Sequence, residues 1–280
     1  MVNTLSTLTV WSHVRHGMSV RVDTSAANEM RMWMTQQYSP DLTGGDTIDG
    51  VVADGAGDAY RVVDGLMSTR WSCRAFSSRP VPRTEIAKIL EAARKTPSWC
   101  NTQPWHVDIT EGRATDDLRA ALRAAIADGP GQNPDIEFPT SYEGVYRDRR
   151  RESGFQLYES LGIEKSDRAG SARQMLRNFD FFDAPHVAIV TTEPALGAYG
   201  AVDCGLFVQS FVLAAHSLGI ATIPQAALAT QAPVIREHLG LDQKRHVLIG
   251  VSFGYPDITS PVNGYRTSRR STEEVATFHA

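Results

Sequence analysis

The chain has 280 residues, of which 42% are hydrophobic and 21% are charged, and its formal net charge is -4. This length exceeds the roughly 100–200 residues of a typical domain without requiring two domains, and the composition is that of a globular protein with a sizeable core. The negative balance argues against a nucleic-acid or anionic-membrane surface, because either needs a basic field.

Residues 1–60 show little hydrophobic periodicity. They contain SPDLTGGDTIDG and ADGAGD, runs of small and polar residues that bury little surface and are costly to order. We therefore predict an N-terminal extension over residues 1–60, either disordered or present because the start site is placed too early, with Met18 or Met30 as alternative starts. One domain is predicted over residues 61–280.

The residues after 60 mix helical and strand patterns. Ile86, Ile89 and Ala93 recur at helical spacing in EIAKILEAARK, whereas HVAIVTT is a β-branched run typical of a buried strand. No regular βαβ alternation is present, which favours an α+β fold over a doubly wound sheet. In chain order we predict helices over 85–95 and from Asp116 to Gly129, partly helical structure over 141–180, a strand over 186–192, a nearly all-apolar helix over 201–219, a strand over 221–223, a helix from Pro233 to Gly240 and a strand over 246–254.

The three cysteines, Cys73, Cys100 and Cys204, are far apart and form no CxxC pair. Neither a disulfide framework nor a zinc site is indicated, and buried thiols in a reducing cytoplasm are favoured. The N-terminus lacks a secretory signal pattern, and no run of about 18 apolar residues indicates a membrane span. The sequence therefore predicts a cytoplasmic protein that does not act at a membrane.

Several motifs of enzymes are absent or unconvincing. There is no P-loop and no GxGxxG after a strand. GVSFG matches the GxSxG element of hydrolases, but Ser252 lies inside an apolar strand with no helix after it, so a hydrolase is disfavoured. The run RDRRR over 147–151 could meet a phosphate, although a solvated helix face is the favoured interpretation. Single histidines are interpreted as structural at positions His186, His216 and His246, and His13 and His16 lie in the extension.

Two polar segments remain unexplained by packing alone. STRWSCRAF over 68–76 places Arg70 and Arg74 around a hydroxyl, and TPSWCNTQPW over 96–105 forms a stiffened turn that presents donors and acceptors to a flat heterocycle. Guanidinium groups bind phosphate oxygens in a bidentate manner. Alone, the second segment could be merely a hydrogen-bonded loop.

Taken in order, these segments resemble the flavin-dependent nitroreductase family, which has an R-x-S-x-R/K element and a P-S-x-x-N-x-Q-P-W loop. Later segments are similar to family elements too, namely FFDAPHVAIV, SLGIATIPQAAL, HVLIGVSFGYPD and SRRSTEEV. The resemblance covers about residues 64–276. It implies a mainly antiparallel sheet flanked by helices, in an intertwined homodimer with FMN at the subunit interface.

The resemblance also implies roles for individual residues. Arg70 and Ser72 would hold the FMN phosphate and ribityl chain, with Trp71 in the same cofactor-binding element, and Arg74 would face the N1/O2 edge of the flavin, where charge collects on reduction. Arg269 would add a second cation at the phosphate, helped by Arg266 or Arg270. The flavin ring of the partner subunit would be bordered by Pro97, Ser98, Asn101 and Gln103. Backbone N–H groups would be presented to flavin N5 by Pro224, Gln225 and Ala226. The family's polar flavin contact would be made by either Arg177 or Asn178.

The function implied is an FMN-dependent oxidoreductase that uses NAD(P)H to reduce a small aromatic acceptor, a nitroaromatic or quinone, by two electrons in ping-pong order. The sequence offers no general base or nucleophile, as expected where the cofactor performs the chemistry. Reductive dehalogenation, flavin fragmentation and non-catalytic flavin binding remain as alternatives on the same scaffold.

Overall fold

A computed structural model describes residues 48–129 and 131–280, with side chains from residue 57 onward. The chain divides after Gly57, and Asp58–Ala280 forms the larger compact unit. The first helix of the described residues, α1, spans Ile48–Thr69 and therefore crosses the boundary predicted at residue 60. Residues 1–47 of the extension predicted over 1–60, with His13 and His16, lie outside the described residues, and the prediction for them stays a prediction.

The core of the fold is a four-stranded antiparallel sheet of β1 (His106–Glu111), β2 (His186–Thr192), β3 (Ala221–Gln225) and β4 (His246–Gly254). The strands lie in the order β1-β2-β4-β3. β2 is buried along its whole length, because helices cover both faces of the sheet. Side chains of successive strand residues point to opposite faces, so Val187 and Ile189 enter one core and Ala188 and Val190 enter the other.

The helices divide between the two faces. One face packs against α2 (Arg83–Ala93) and α6 (Gly197–Ser217), and the other against α3 (Arg113–Ala127) and α7 (Ala232–Leu239). This arrangement confirms the α+β fold class. The remaining α-helices are α4 (Gly144–Ser160), α5 (Arg168–Leu176) and the short α8 (Thr272–Val275), and 3₁₀ turns cover Trp99–Asn101, Arg177–Asp183, Pro194–Leu196, Ala226–Gln231 and Pro261–Asn263.

The element boundaries differ from the sequence predictions in a few places. Helix α3 begins at Arg113, three residues before the predicted start, and β3 continues through Pro224 to Gln225. Strand β1 was not predicted, although Val107 and Ile109 alternate with Asp108 and Thr110 within it. Helix α1 was not predicted either, because its glycines lower helix propensity.

Helix α6 has two different sides. By length and composition, Pro194–Ser217 contains one segment apolar enough to cross a membrane, but Phe207 and Phe211 on this helix lie in the core against the sheet. The opposite side exposes Tyr199, Val202 and Leu206 to 60%, 56% and 46%. A helix that is apolar nearly all round requires a second covering surface.

His186 is a structural histidine, as predicted. The Val81 N–H donates to its Nε2 over 2.9 Å, and Nδ1 lies 3.2 Å from the Thr110 carbonyl oxygen. The first bond requires an unprotonated Nε2, so Nδ1 carries the hydrogen. Burial lowers the pKa of His186, which favours the neutral ring that these two bonds need.

Candidate active site

The segment after α1 lies along the edge of the sheet. The Cys73 N–H donates to the Thr222 carbonyl over 3.0 Å, and Ser72 forms a parallel β-bridge with Thr222. Further along, Phe76 bridges Pro256. These contacts hold the segment against the edge of the sheet through isolated β-bridges, with Cys73 fully buried and its polar neighbours Ser72 and Arg74 half-buried.

A cavity of about 310 Å³, here called the arginine cavity, lies over this segment. It brings together residues from the first motif with residues from the C-terminal region, although the two are almost 200 positions apart in the chain. Its walls contain Arg70, Trp71, Ser72, Arg74, Arg266 and Arg269, all six predicted to bind the cofactor, together with Met67, Ser68, Ser153, Tyr265 and Thr267. Arg270 lines a neighbouring cavity.

The arginine cavity carries positive charge without a protein counter-charge. Burial and the neighbouring Arg269 guanidinium both lower the pKa of Arg70, and burial lowers the pKa of Arg74. Within the described residues, neither these side chains nor Arg266 forms an ion pair with a carboxylate. Partial burial of cations that repel one another costs free energy unless a bound anion compensates their charge. This arrangement therefore fits a phosphate.

Arg74 is held in place by residues that the sequence motifs did not reveal. Its backbone N–H donates to Asn263 Oδ1 over 2.9 Å, its guanidinium donates to the Ser72 carbonyl over 3.1 Å, and it lies 5.7 Å from the centre of the Tyr265 ring. Asn263 is buried, and its Nδ2 donates to the Ala75 and Asp257 carbonyls. A 3₁₀ turn near the C-terminus therefore fixes the first motif.

Trp71 has aromatic and cationic neighbours on two sides. The Arg266 guanidinium lies 4.6 Å from its ring centre, and the His216 ring meets it edge-on at 6.0 Å. His216 Nε2 also lies 2.8 Å from Thr69 Oγ1. Burial, followed by the charges of Arg70 and Arg266, lowers the pKa of His216. His216, which was predicted to be structural, thus packs behind the arginine cavity.

The second motif forms a strained, exposed loop that does not line the arginine cavity. Cys100, Asn101 and Gln103 adopt φ angles of 50°, 54° and 46°, which are rare for residues other than glycine. The Gln103 N–H donates to Ser98 Oγ over 2.9 Å, and the Trp99 N–H donates to Asp203 Oδ2 of α6 over 3.1 Å. Of the predicted flavin contacts in this loop, Pro97, Asn101 and Gln103 are exposed and Ser98 is half-buried.

The exposure of Cys100 corrects the prediction of three buried thiols. Cys73 and Cys204 are buried, and burial raises the pKa of Cys73 to about 11. Cys100 is exposed because it sits at the tip of the strained loop, where no core is within reach. No cysteine lies close enough to another potential metal ligand to form a cluster of three within the described part of the chain.

The third predicted contact region lies at the end of β3, and it too is outside the arginine cavity. Pro224 has no amide hydrogen, so only Gln225 and Ala226 can offer backbone N–H groups there. The Gln225 side chain is buried and turned away from solvent. Its Nε2 donates to Asn178 O and Oδ1 over 2.9 and 3.2 Å, and Ser252 donates to its Oε1.

The structure also shows the surroundings of Ser252 and of Arg177 and Asn178, the two candidates for the polar flavin contact. Ser252 is fully buried within β4, so GVSFG is a strand and not a hydrolase nucleophile turn. The Arg177 guanidinium donates hydrogen bonds of 2.6 and 3.0 Å to the Asp183 carboxylate, and it lies 3.5 Å from the Asp180 carboxylate. Asn178, by contrast, contacts Gln225 directly.

The chain is similar to known proteins over most of its length. The model of the nitroreductase family matches residues 67–255. The chain is 36% identical to 4-nitrobenzoate reductase of Pseudomonas putida, over 77% of this chain and 94% of that protein, and 35% identical to chloronitrobenzene nitroreductase of Comamonas testosteroni, over 77% and 96%. The FMN-dependent nitroreductase NfnB from Mycobacterium smegmatis, solved in complex with NADPH, superposes with a TM-score of 0.75 at 36% identity and covers 81% of this chain and 100% of its own. The chain belongs to the nitroreductase family.

Proposed function

We propose that this chain is an FMN-dependent oxidoreductase that uses NAD(P)H to reduce nitroaromatic or quinone acceptors by two electrons. The observation that carries the proposal is the arginine cavity, where half-buried Arg70 and Arg74 and exposed Arg266 and Arg269 face one space that no carboxylate of the described residues lines. When bound, FMN supplies a ring that takes a hydride from the donor and passes electrons to the acceptor. The relatives reported above act on nitrobenzoate and chloronitrobenzene, according to their names.

The roles of the chain's own residues are positioning and electrostatics. Arg70, Ser72 and Arg269 bind the phosphate and ribityl chain, with Trp71 and Arg266 stacked beside them. Arg74 provides fixed positive charge at the N1/O2 edge of the ring. The backbone of Gln225 and Ala226 faces N5, and Asn178, which is bonded to the Gln225 side chain, makes the polar contact that the sequence left open between it and Arg177.

We expect the purified protein to be yellow, to release FMN on heating and to bleach within seconds on anaerobic addition of NADPH. Donor and acceptor share one pocket, so initial rates with NADPH and 4-nitrobenzoate should give parallel double-reciprocal lines. Intersecting lines would contradict the shared pocket. A bound flavin that NADPH and NADH both fail to bleach would mean a flavin-binding protein without turnover.

We further propose that the protein is a homodimer with FMN at the subunit interface. Tyr199, Val202 and Leu206 of α6 form an exposed apolar stripe, and Trp99, which is 56% exposed, packs edge-on against Tyr199 at 4.4 Å. Such a stripe is typical of an interface. The strained loop that carries Trp99 lies away from the arginine cavity of its own chain, which fits a role at the flavin of a partner.

Sedimentation should therefore give a dimer, with an interface above the roughly 2,000 Å² of permanent assemblies. Val202→Asp/Leu206→Asp should produce monomers that lose FMN, because two charges would have to be buried in an apolar contact. Ile258→Asp is the matched control, since Ile258 is apolar and 85% exposed but lies on a different segment. A monomer of the double variant that retains FMN would contradict a shared site.

The cofactor-binding unit is assigned to residues 61–280, since the family match begins at residue 67 and the larger compact unit at Asp58. A cytoplasmic location remains a prediction that rests on the unpaired thiols of Cys73, Cys100 and Cys204.

A further inference from the structure

A second cationic cavity, here called the α4 cavity, adjoins the arginine cavity. It measures about 640 Å³ and lies between α4 and the start of α5. Arg74 and Ser153 line both cavities, so the two spaces meet at the residue proposed for the flavin edge. The other cations on its walls are Arg150, Arg151, Lys165 and Arg168.

These four cations have no carboxylate partner. In the described ranges 57–129 and 131–280, none of them lies in an ion pair. Some exposed arginines elsewhere do form ion pairs, for example Arg94 with Glu91 at 2.6 Å. Glu159 and Glu164 line an adjoining cavity that Lys165 also borders, but among the described residues neither acid forms an ion pair with Lys165. An unpaired positive cluster in a chain of net charge -4 therefore surrounds this one space.

Neighbouring aromatic rings orient part of the cluster. The Arg151 guanidinium lies 5.9 Å from the centre of the Phe155 ring and the Lys165 ammonium 4.7 Å from it, while Arg150 lies 5.2 Å from the Tyr142 ring. Aromatic contacts of this kind hold a cation without neutralising its charge. The charges of the α4 cavity thus remain available for a ligand.

The amount of charge indicates the kind of ligand. A nitroaromatic acid brings one carboxylate, whereas a phosphate monoester carries about -1.5 to -2 near pH 7 and offers three acceptor oxygens. Arginine forks match phosphate geometry. NADPH differs from NADH only by such a phosphate, on the 2′ position of its adenosine. A donor whose nicotinamide lies beside Arg74 can extend its phosphates into the adjoining space.

We propose that the α4 cavity binds the 2′-phosphate of NADPH and makes NADPH the preferred donor. The inference rests on the proposed function, because it names the donor of that reaction. It assigns Arg150, Arg151, Lys165 and Arg168 as specificity residues that contact the donor and not the flavin phosphate.

The test separates this inference from the proposed function. Isothermal titration of the FMN-loaded protein with 2′,5′-ADP and with 5′-ADP requires no turnover, and 2′,5′-ADP should bind at least about tenfold more tightly. Arg151→Gln/Arg168→Gln should abolish this difference. Lys244→Gln/Arg79→Gln is the control with the same change of charge, since both side chains are exposed and lie outside the α4 cavity, and it should keep the difference.

In steady state, Arg151→Gln/Arg168→Gln should lower kcat/KM for NADPH by about tenfold or more and change the value for NADH by less than about twofold. Equal binding of the two nucleotides by the wild type would overturn the inference while leaving the proposed function intact. Loss of FMN from the double variant would also overturn the inference, since the cavity would then bind the flavin. So would a double variant that is slower with 4-nitrobenzoate but not with nitrobenzene, since the cavity would then bind the acceptor.

Discussion

Arg70→Ala should leave the purified protein largely without FMN. Arg70 is half-buried and forms no ion pair within the described residues, and both burial and the Arg269 guanidinium lower its pKa. A phosphate would relieve this repulsion, and a charge-assisted hydrogen bond contributes about 1.5–3 kcal/mol, which corresponds to roughly tenfold weaker binding or more when it is lost. Titration of the apoprotein with FMN, followed by quenching of flavin fluorescence, measures the change.

Arg79→Ala is the matched control for this measurement. Arg79 is an exposed cation nine residues further along, and its guanidinium lies 4.2 Å from the centre of the Tyr255 ring, away from the arginine cavity. Its loss should leave FMN affinity unchanged within about twofold. If Arg70→Ala bound FMN as tightly as the control but reduced it slowly, Arg70 would act on the flavin ring and not on its phosphate.

The elements with strong local signals could be predicted from the sequence. The β-branched run HVAIVTT and the left-handed Gly240 after α7, at φ 64°, act within a few residues, and both appear as expected. The two arginine-bearing segments were also recognisable, because their residue types follow the family order. The fold then brings Arg70 and Arg269 to one cavity.

What the sequence could not predict depends on distant contacts. Asn263 holds the backbone of Arg74 from 189 positions away, and nothing in the local pattern around Asn263 distinguishes it from an ordinary turn residue. For Gln225 the sequence predicted a backbone contact to the flavin and gave no sign that the fold buries its side chain between Asn178 and Ser252. Cys100 looked like a buried thiol, but strained backbone carries it to the surface.

The buried bonds of Gln225 have a consequence for the N5 region. Because both ends of its amide are engaged, the side chain fixes the end of β3 and leaves only backbone groups to face a ligand. Ala226, the next residue, is exposed and small. Under the proposed assignment, access to the flavin at this face would depend on the backbone and on Asn178, in a loop where many family members have an acidic residue and a glycine.

Arg74→Ala should slow flavin reduction while weakening FMN binding much less than Arg70→Ala does. The flavin phosphate has the same charge in both redox states, but the N1/O2 edge gains negative charge on reduction, so a cation held there stabilises the reduced form selectively. Loss of about 1.5–3 kcal/mol of this stabilisation would make the two-electron potential more negative by up to about 30–65 mV. Anaerobic stopped-flow reduction by NADPH and a spectroelectrochemical potential measure both effects.

Arg74→Lys provides the comparison that isolates charge from shape. It keeps the cation but cannot form the same guanidinium contacts with Ser72 and Tyr265, so its potential should lie near that of the wild type even if its rate falls. Arg74→Ala with a wild-type potential and rate at saturating FMN, combined with a large loss of FMN affinity, would contradict the role proposed for Arg74. Two guanidinium groups four positions apart would then both serve the phosphate, and the charge at the flavin edge would have to come from another residue.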